Sequence, residues 1–237
     1  MALPMKLAQI LFSQGFGARR ECEGLILARE VRVHGQVVDD PSAEFDPQGL
    51  VFEVEGKPWV YHEKALVLLH KPAGYECSQK PSAWPSVLTL LPPPLRRRGV
   101  QPVGRLDQDT TGALLLTDDG ALIHQLTSPK RHVPKRYQAT TAEPLTPAQL
   151  ERLVQGVVLH DDPKPVRAVE ATAPEPHRLE LVLTEGKYHQ VKRMVAAVGN
   201  HVDALHRSAF GALALPADLA PGQWCWITDK NVIFGTA

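Results

Sequence analysis

The chain has 237 residues, of which 43% are hydrophobic, and its 26 basic side chains balance 26 acidic ones. A hydrophobic fraction of this size excludes a wholly disordered chain and supports a folded core. The sequence shows neither an apolar run near the roughly 20 residues of a membrane span nor the pattern of a secretory signal. Its three cysteines form no C-x-x-C pair, which argues against a disulfide framework and a zinc site. We therefore expect a cytoplasmic monomer that does not contact a membrane.

The first predicted elements form a small module near the N-terminus. Residues 6–14 and 19–29 have apolar side chains at helical spacing, and residues 31–37 alternate with a period of two. The pattern predicts two helices packed against a hairpin and complete by about residue 56. It resembles the RNA-binding module of ribosomal protein S-four, with matches at Leu7, Arg19, Arg20, Val31, Val33 and Gly35 and with Ala18 where serine is usual. The resemblance implies that residues 1–56 bind RNA and that Arg19 and Arg20 contact it.

A polar, turn-rich segment over residues 57–64 is predicted to be a linker, followed by a second domain over 65–237. Strands are predicted at 65–70 and near 137–141, 157–159, 178–184, 202–207, 211–215 and 224–228. Helices are predicted near 120–127, 147–155 and 189–198. This alternation predicts an α+β fold in which helices flank a mixed, mostly antiparallel sheet.

Basic residues are concentrated in two segments although the net charge is zero. Residues 96–136 contain eight lysines or arginines and four aspartates, and residues 186–207 contain four lysines or arginines and one aspartate. Such clustering suits a face that binds a polyanion, with ordinary solvated surface as the alternative.

The most informative stretch is Gly104–Gly112, with the sequence GRLDQDTTG. It places Asp107 and Asp109 on a polar turn ahead of the apolar run Ala113–Leu116, which is a typical way to expose a reactive acid at a cleft. The stretch also fits Asp-x-Asp-x-Thr, the nucleophile signature of magnesium-dependent phosphotransferases. That chemistry needs a buried parallel strand before the first acid, and the approach through Pro102 makes a poor one.

Further motifs help to decide which class of enzyme Gly104–Gly112 indicates. Gly104–Gly112 resembles the catalytic motif of the RNA pseudouridine synthases, and four more segments resemble that family's motifs in the same order: Lys71–Gly74, Lys135–Tyr137, Glu185–Met194, and Leu205–Arg207 followed by Gly211. The amino-acid sequence around Thr110–Gly112 and Tyr188–Met194 resembles the members of that family that act on small-subunit rRNA. That resemblance implies isomerisation of a uridine in 16S rRNA, conventionally numbered 516, to pseudouridine. The substrate would be 16S rRNA or a small-subunit assembly intermediate, and the isomerisation requires no metal, redox cofactor or energy donor.

The resemblance also implies catalytic roles. Asp107 would act as nucleophile or base on a flipped-out nucleotide, and desolvation would raise its pKa unless a cation lay nearby. Lys192, where most of the family has arginine, is expected to supply that cation. Tyr137 would stack on the uracil.

The remaining site residues are assigned in the same way. Arg105 and Leu205 are expected to line the substrate pocket, and Arg193 and Arg207 to contact RNA. Asp109 is interpreted as a residue that shapes the turn. A non-catalytic RNA-binding or ribosome-assembly factor on the same scaffold is the remaining alternative.

Overall fold

The computed structural model describes residues 3–235, which form two compact units. The N-terminal unit comprises residues 3–65 and 91–100, and the C-terminal unit comprises residues 66–90 and 101–235. Within the described part of the chain, no helix is long and apolar enough to cross a membrane.

The N-terminal unit packs three helices with short strands. The helices are α1 (Leu7–Ser13), α2 (Arg19–Leu27) and α3 (Pro93–Arg97). The strands are β1 (Met5–Lys6), β2 (Val31–Val33), β3 (Gln36–Val37), β4 (Glu44–Phe45), β5 (Val51–Val54) and β6 (Lys57–Val60). They form a four-stranded sheet in the order β3-β2-β5-β6 and a separate β1-β4 pair. The predicted helices are present, and their apolar faces meet the sheet in one core that includes Leu7, Ile10 and Ile26.

Residues 57–60 do not belong to a linker, contrary to the sequence-based expectation. They form β6, which pairs in antiparallel register with β5. Trp59 packs edge-on against Phe16, with their ring centroids 5.2 Å apart. The composition misled because an edge strand needs only one apolar side chain towards the core and tolerates proline, here Pro58.

The proline-rich segment 91–100 also contributes to the N-terminal unit. Gly15 has φ +87°, and a Cβ atom there would lie 2.1 Å from the carbonyl oxygen of Pro94, so only glycine allows this approach. Arg98 donates to the Gln14 Oε1 atom at 3.0 Å, and Arg97 donates to the carbonyl of Phe16 at 3.1 Å. Part of the basic segment therefore stabilises the unit instead of forming a free polyanion-binding face.

The C-terminal unit is built on one large sheet. The strands of the C-terminal unit are β7 (Leu66–Lys71), β8 (Gln101–Pro102), β9 (Thr111–Thr117), β10 (Lys135–Thr141), β11 (Val157–Leu159), β12 (Asp162–Val166), β13 (Glu170–Glu175), β14 (Arg178–Leu183), β15 (Val202–Phe210), β16 (Leu213–Ala214) and β17 (Trp224–Trp226). Of these, β11 and β12 pair only with each other. Its helices are α4 (Gly120–Thr127), α5 (Pro147–Gln155), α6 (Gln190–Ala197) and α7 (Asn231–Phe234).

The strand order of the large sheet is β13-β14-β10-β15-β9-β7-β17, with β8 and β16 paired at its side. The pairings along it are antiparallel except for β9 with β15, which is parallel. The predicted mixed, mostly antiparallel α+β fold is therefore confirmed. β9 is buried on both faces, which explains its continuous apolar sequence.

Candidate active site

The loop that contains Asp107 joins β8 to β9, and the buried side chain of Lys71 hydrogen-bonds to its backbone. Lys71, at the end of β7, is fully buried and its ammonium group donates to the carbonyl oxygens of Pro72, Gln108 and Thr110 at 3.0, 3.1 and 2.7 Å. Burial lowers the pKa of Lys71, which neighbouring acidic groups partly offset. Three donors thus meet three acceptors, and the turn carrying both aspartates is fixed to the sheet.

The glycine that ends the motif, Gly112, is the second residue of β9. Gly112 pairs with Arg207 across the parallel β9–β15 junction. It has φ +111°, and a Cβ atom would lie 2.2 Å from the carbonyl oxygen of Arg207. A side chain at this position would separate the two strands, so glycine brings the aspartate loop beside β15.

A second loop faces the first and leads into α6. Gln190 is buried at the start of α6, where its side chain accepts from the Lys187 amide at 2.8 Å and donates to Glu185 at 2.9 Å. His189, immediately before the helix, has a left-handed backbone with φ 48°. Its ring stacks on Tyr188 with centroids 3.7 Å apart. These contacts fix the direction in which α6 presents Lys192.

The two loops meet in a group that we call the acidic cluster: Asp107, Asp109, His189 and Lys192. The Asp107 carboxylate lies 3.1 Å from Lys192 Nζ through one oxygen and 3.1 Å from His189 Nε2 through the other. Lys192 Nζ also donates to both oxygens of Asp109, at 2.8 and 3.0 Å. The expected Asp107–Lys192 ion pair is present, but Asp109 shares the same ammonium group and does more than shape the turn.

The electrostatics of the acidic cluster favour its charged form. Burial opposes ionisation of Asp109, but the hydrogen bond and charge of Lys192 outweigh it and lower the Asp109 pKa. Burial likewise opposes the charge on Lys192, and its hydrogen bonds to Asp109 and Asp107 outweigh burial and raise the Lys192 pKa. Asp107 has 25% of its side chain exposed against 56% for Asp109, so Asp107 is the more enclosed acid.

A cavity of about 750 Å³ opens above the acidic cluster, entirely within the C-terminal unit. Arg105, Asp107, Tyr137 and Lys192 line it together. Leu205 lines a smaller cavity of about 70 Å³ that shares Arg105, Asp107 and Tyr137. The fold thus brings together all five residues that the sequence assigned to catalysis or to the substrate pocket.

The same cavity contains two further cations, Lys135 and Arg207, which we call the cationic pair. Arg207 is only 2% exposed, and its Nε donates to the carbonyl of Ala113 at 2.8 Å. The sequence led us to expect Arg207 to contact RNA. Pairing of β15 with β10 and β9 buries Arg207 and turns its side chain into the cavity wall.

The other expected RNA-binding arginines differ from one another. Arg19 and Arg20 are exposed at the start of α2, and the Arg19 guanidinium lies over the ring of Phe12, 5.4 Å from its centroid. Arg193 instead donates to the carbonyl of Tyr188 at 2.9 Å and forms an ion pair with Asp161. Its charge is therefore matched by an acid of the same unit, and its expected contact with RNA stays a prediction.

Three functional candidates were missed from the sequence. Lys71, Lys135 and His189 were noted only as members of the motifs Lys71–Gly74, Lys135–Tyr137 and Glu185–Met194. The available signal for Lys71 was a lysine at the end of a buried strand, directly before proline. The left-handed turn that directs His189 to Asp107 has no clear sequence signal.

The position of Asp107 also bears on the phosphotransferase alternative. That chemistry places its nucleophile at the carboxyl end of a buried parallel strand. Asp107 lies instead in a loop before β9, and β8 ahead of it is a two-residue strand antiparallel to β9. The geometry therefore disfavours the phosphotransferase.

Comparison with known proteins finds pseudouridine synthases that match nearly the whole chain. The chain is 37% identical over 222 residues to the ribosomal small subunit pseudouridine synthase A of Escherichia coli K12, covering 93% of this chain and 95% of that protein. It is 36% identical over 231 residues to YtzG of Bacillus subtilis 168, an uncharacterized RNA pseudouridine synthase, covering 96% and 97%. A crystal structure of a pseudouridylate synthase superimposes with a TM-score of 0.68 at 30% identity, covering 96% of this chain and 98% of that one.

Family models match the chain in two places. The S4 domain matches residues 5–50, and RNA pseudouridylate synthase matches residues 65–197. The second match covers more than half of the chain and includes the aspartate loop, Tyr137 and Lys192. The family match over residues 65–197 and the pseudouridine synthase relatives that align with more than 90% of the chain show that it belongs to the RNA pseudouridine synthase family.

Proposed function

We propose that this enzyme converts one uridine of small-subunit rRNA to pseudouridine, and that the target is the 16S uridine conventionally numbered 516. The name of the Escherichia coli relative supports the rRNA substrate. The observation that carries the proposal for the site is the Asp107 carboxylate, held at 3.1 Å from both Lys192 and His189 in a cavity large enough for a nucleotide.

The reaction conserves every atom of the nucleotide. The bond between sugar C1′ and uracil N1 breaks, the base turns, and a new bond forms between C1′ and C5. The proton on C5 is lost and N1 gains one, so no oxidant, reductant or energy donor is consumed. The target base must leave its stack to reach the cavity, and Arg105 at the rim is proposed to occupy the vacated space or hold a phosphate.

Asp107 is proposed as the catalytic residue, acting as a nucleophile on the sugar or base or as a base that removes a proton. Lys192 places a positive charge 3.1 Å from one oxygen of this carboxylate, and His189 Nε2 lies 3.1 Å from the other. Tyr137, 8% exposed, presents its ring as a stacking surface for uracil, with Leu205 as an apolar wall.

We further propose that the N-terminal S4 domain supplies RNA affinity through Arg19 and Arg20. We also propose that the enzyme acts as a monomer. The substrate would be 16S rRNA or a small-subunit assembly intermediate, encountered in the cytoplasm.

The test incubates the protein with an unmodified 16S transcript and, separately, with an assembly intermediate. Pseudouridine is mapped by carbodiimide-dependent stops of reverse transcription. A new stop at uridine 516 is expected with at least one substrate. A transcript with cytidine at position 516 is the matched control and should show no stop.

The outcomes separate the alternatives. Binding without any new stop in either RNA would favour the non-catalytic assembly factor. A stop at another uridine would keep the enzyme and replace its target. Arg19→Gln with Arg20→Gln should weaken RNA binding while leaving the single-turnover rate of bound RNA unchanged.

A further inference from the structure

The cationic pair lacks counter-charges. Lys135 Nζ donates to the carbonyl of Val133 at 3.1 Å, and Arg207 uses its Nε on Ala113. One terminal nitrogen of the Arg207 guanidinium, Nη2, is buried and has no hydrogen-bond partner among residues 3–235. Within residues 3–235, no carboxylate forms an ion pair with either cation. Buried charges are normally paired, so this site is incomplete as it stands.

Strand register places both cations on the cavity side of the sheet. Tyr137 of β10 pairs with Arg207 of β15, and Lys135 pairs with Phe210. The Lys135 ammonium and the Arg207 guanidinium both lie against the Phe210 ring, 5.3 and 5.1 Å from its centroid. Two positive groups thus contact one aromatic ring, in the cavity that also contains the tyrosine proposed to hold the base.

Two like charges that lie against the same ring repel each other, and an anion that binds both removes this cost. Burial, followed by the charge of Arg207, lowers the pKa of Lys135 to about 8. Lys135 therefore remains mostly protonated at neutral pH, and the repulsion persists. Such an arrangement is typical of a site that binds a negative ligand.

We propose that Lys135 and Arg207 form an anion site that binds a phosphodiester group of the RNA flanking the target uridine. A lysine point charge together with an arginine fork suits phosphate oxygens. A flipped nucleotide necessarily brings its two flanking phosphates towards the cavity. This inference rests on the proposed function, since it assumes an RNA substrate.

The first test neutralises one phosphate at a time. The phosphates on either side of the target uridine are replaced singly by methylphosphonate in a splint-ligated 16S fragment. Dissociation constants are then measured for the wild type and for Lys135→Met. Methionine keeps the length of the side chain without its charge, so the fold should persist. Lys230→Met, at an exposed lysine of the same unit, is the matched control.

One phosphate is expected to be coupled to Lys135. Replacing it should weaken wild-type binding about tenfold, as expected for a charge-assisted hydrogen bond. Lys135→Met should lose about as much with the normal fragment and nothing further with the methylphosphonate. Lys230→Met should behave as wild type. The proposal would be overturned if, at both phosphates, the affinity loss from Lys135→Met and the loss from the methylphosphonate simply multiplied. It would also be overturned if Lys135→Met lowered the turnover rate without lowering affinity, because the cations would then act on the departing base.

A second test needs no RNA and separates this inference from the proposed function. The Lys135 side chain, labelled at Cε, is titrated by NMR with sulfate as the anion probe and with chloride at matched ionic strength. Sulfate should raise the titration midpoint above its value in chloride, and Arg207→Lys should reduce that rise. Equal midpoints in the two salts would refute the anion site. A rise in sulfate with no conversion of rRNA would instead leave the site intact and refute the proposed substrate.

Discussion

The acidic cluster and the cationic pair line one cavity, yet they differ in how far their charges are matched. Asp107 and Asp109 are each within 3.1 Å of Lys192, and His189 Nε2 lies 3.1 Å from the other oxygen of Asp107. Among the described residues, Arg207 and Lys135 donate hydrogen bonds only to backbone carbonyls and lie against the Phe210 ring, and one Arg207 nitrogen has no hydrogen-bond partner. The comparison indicates that the acidic cluster is organised before substrate arrives, whereas the cationic pair is completed by it.

The largest expected effect is within the acidic cluster. Asp107→Asn should reduce turnover at least about 10³-fold, because the amide is neither a nucleophile nor a base at neutral pH. Asp109→Asn is the matched control and should reduce turnover only about tenfold, because Asp109 is more exposed and is expected to influence the reaction only through its contact with Lys192. Single-turnover formation of pseudouridine measures both. Equal losses in the two variants would contradict the assignment of Asp107 as the reactive acid.

Removal of the shared cation should have the next largest effect. Lys192→Met leaves two adjacent carboxylates without a counter-charge, so we expect turnover to fall about 10²-fold. Lys192→Arg keeps the charge and should retain activity within about tenfold of wild type. An arginine variant as inactive as the methionine variant would show that geometry, and not charge, is what Lys192 supplies.

The same ion pairs make a pH-dependent contribution to stability. The lowered Asp109 pKa stabilises the fold above the ordinary aspartate pKa, and that contribution is lost as pH falls through the lowered value. The raised Lys192 pKa stabilises the fold below the ordinary lysine pKa and is lost as pH rises through the raised value. Between about pH 5 and pH 10 the contribution is constant. Urea midpoints of Lys192→Met should therefore converge on those of wild type at both extremes.

His189 should contribute less than Lys192. Its Nε2 atom is 3.1 Å from Asp107, and glutamine can place an amide nitrogen near the same point. We expect His189→Ala to reduce turnover about tenfold and His189→Gln about threefold, with KM unchanged in both. Both variants retain the strain of the left-handed backbone, so their difference reports the hydrogen bond. Identical rates would leave His189 only a structural role.

The smallest expected effect tests the cationic pair through pH. Anion binding requires protonated Lys135, whose pKa is about 8 in the free protein. Binding an anion raises that pKa and takes up a proton, so RNA affinity should be flat below pH 8 and fall above it, by less than about tenfold per pH unit. Lys135→Met should lack this decline. Fluorescence anisotropy from pH 6.5 to 9.5 compares the two proteins, and parallel curves would contradict the assignment.

The tertiary structure also corrected several expectations in ways that share one cause. Residues 57–60 were read as a linker and form β6, and residues 96–98 were read as part of a basic face although Arg97 and Arg98 bind the N-terminal unit. Arg207 was expected to contact RNA, and the structure buries it in the cavity wall. Each depends on a partner far away in the chain, which local composition does not reveal.

The sequence by itself determined the helices and strands with clear periodicity, the α+β class, and the pairing of Asp107 with Lys192, which a motif resemblance brings together across more than 80 residues. Only the tertiary structure decided that Lys71 holds the aspartate loop by three carbonyls, that a left-handed residue directs His189 to Asp107, and that Lys135 and Arg207 share the ring of Phe210. The physical reason is that periodicity reports which face of an element is apolar. Strand register and loop conformation decide which distant polar groups those elements bring into contact.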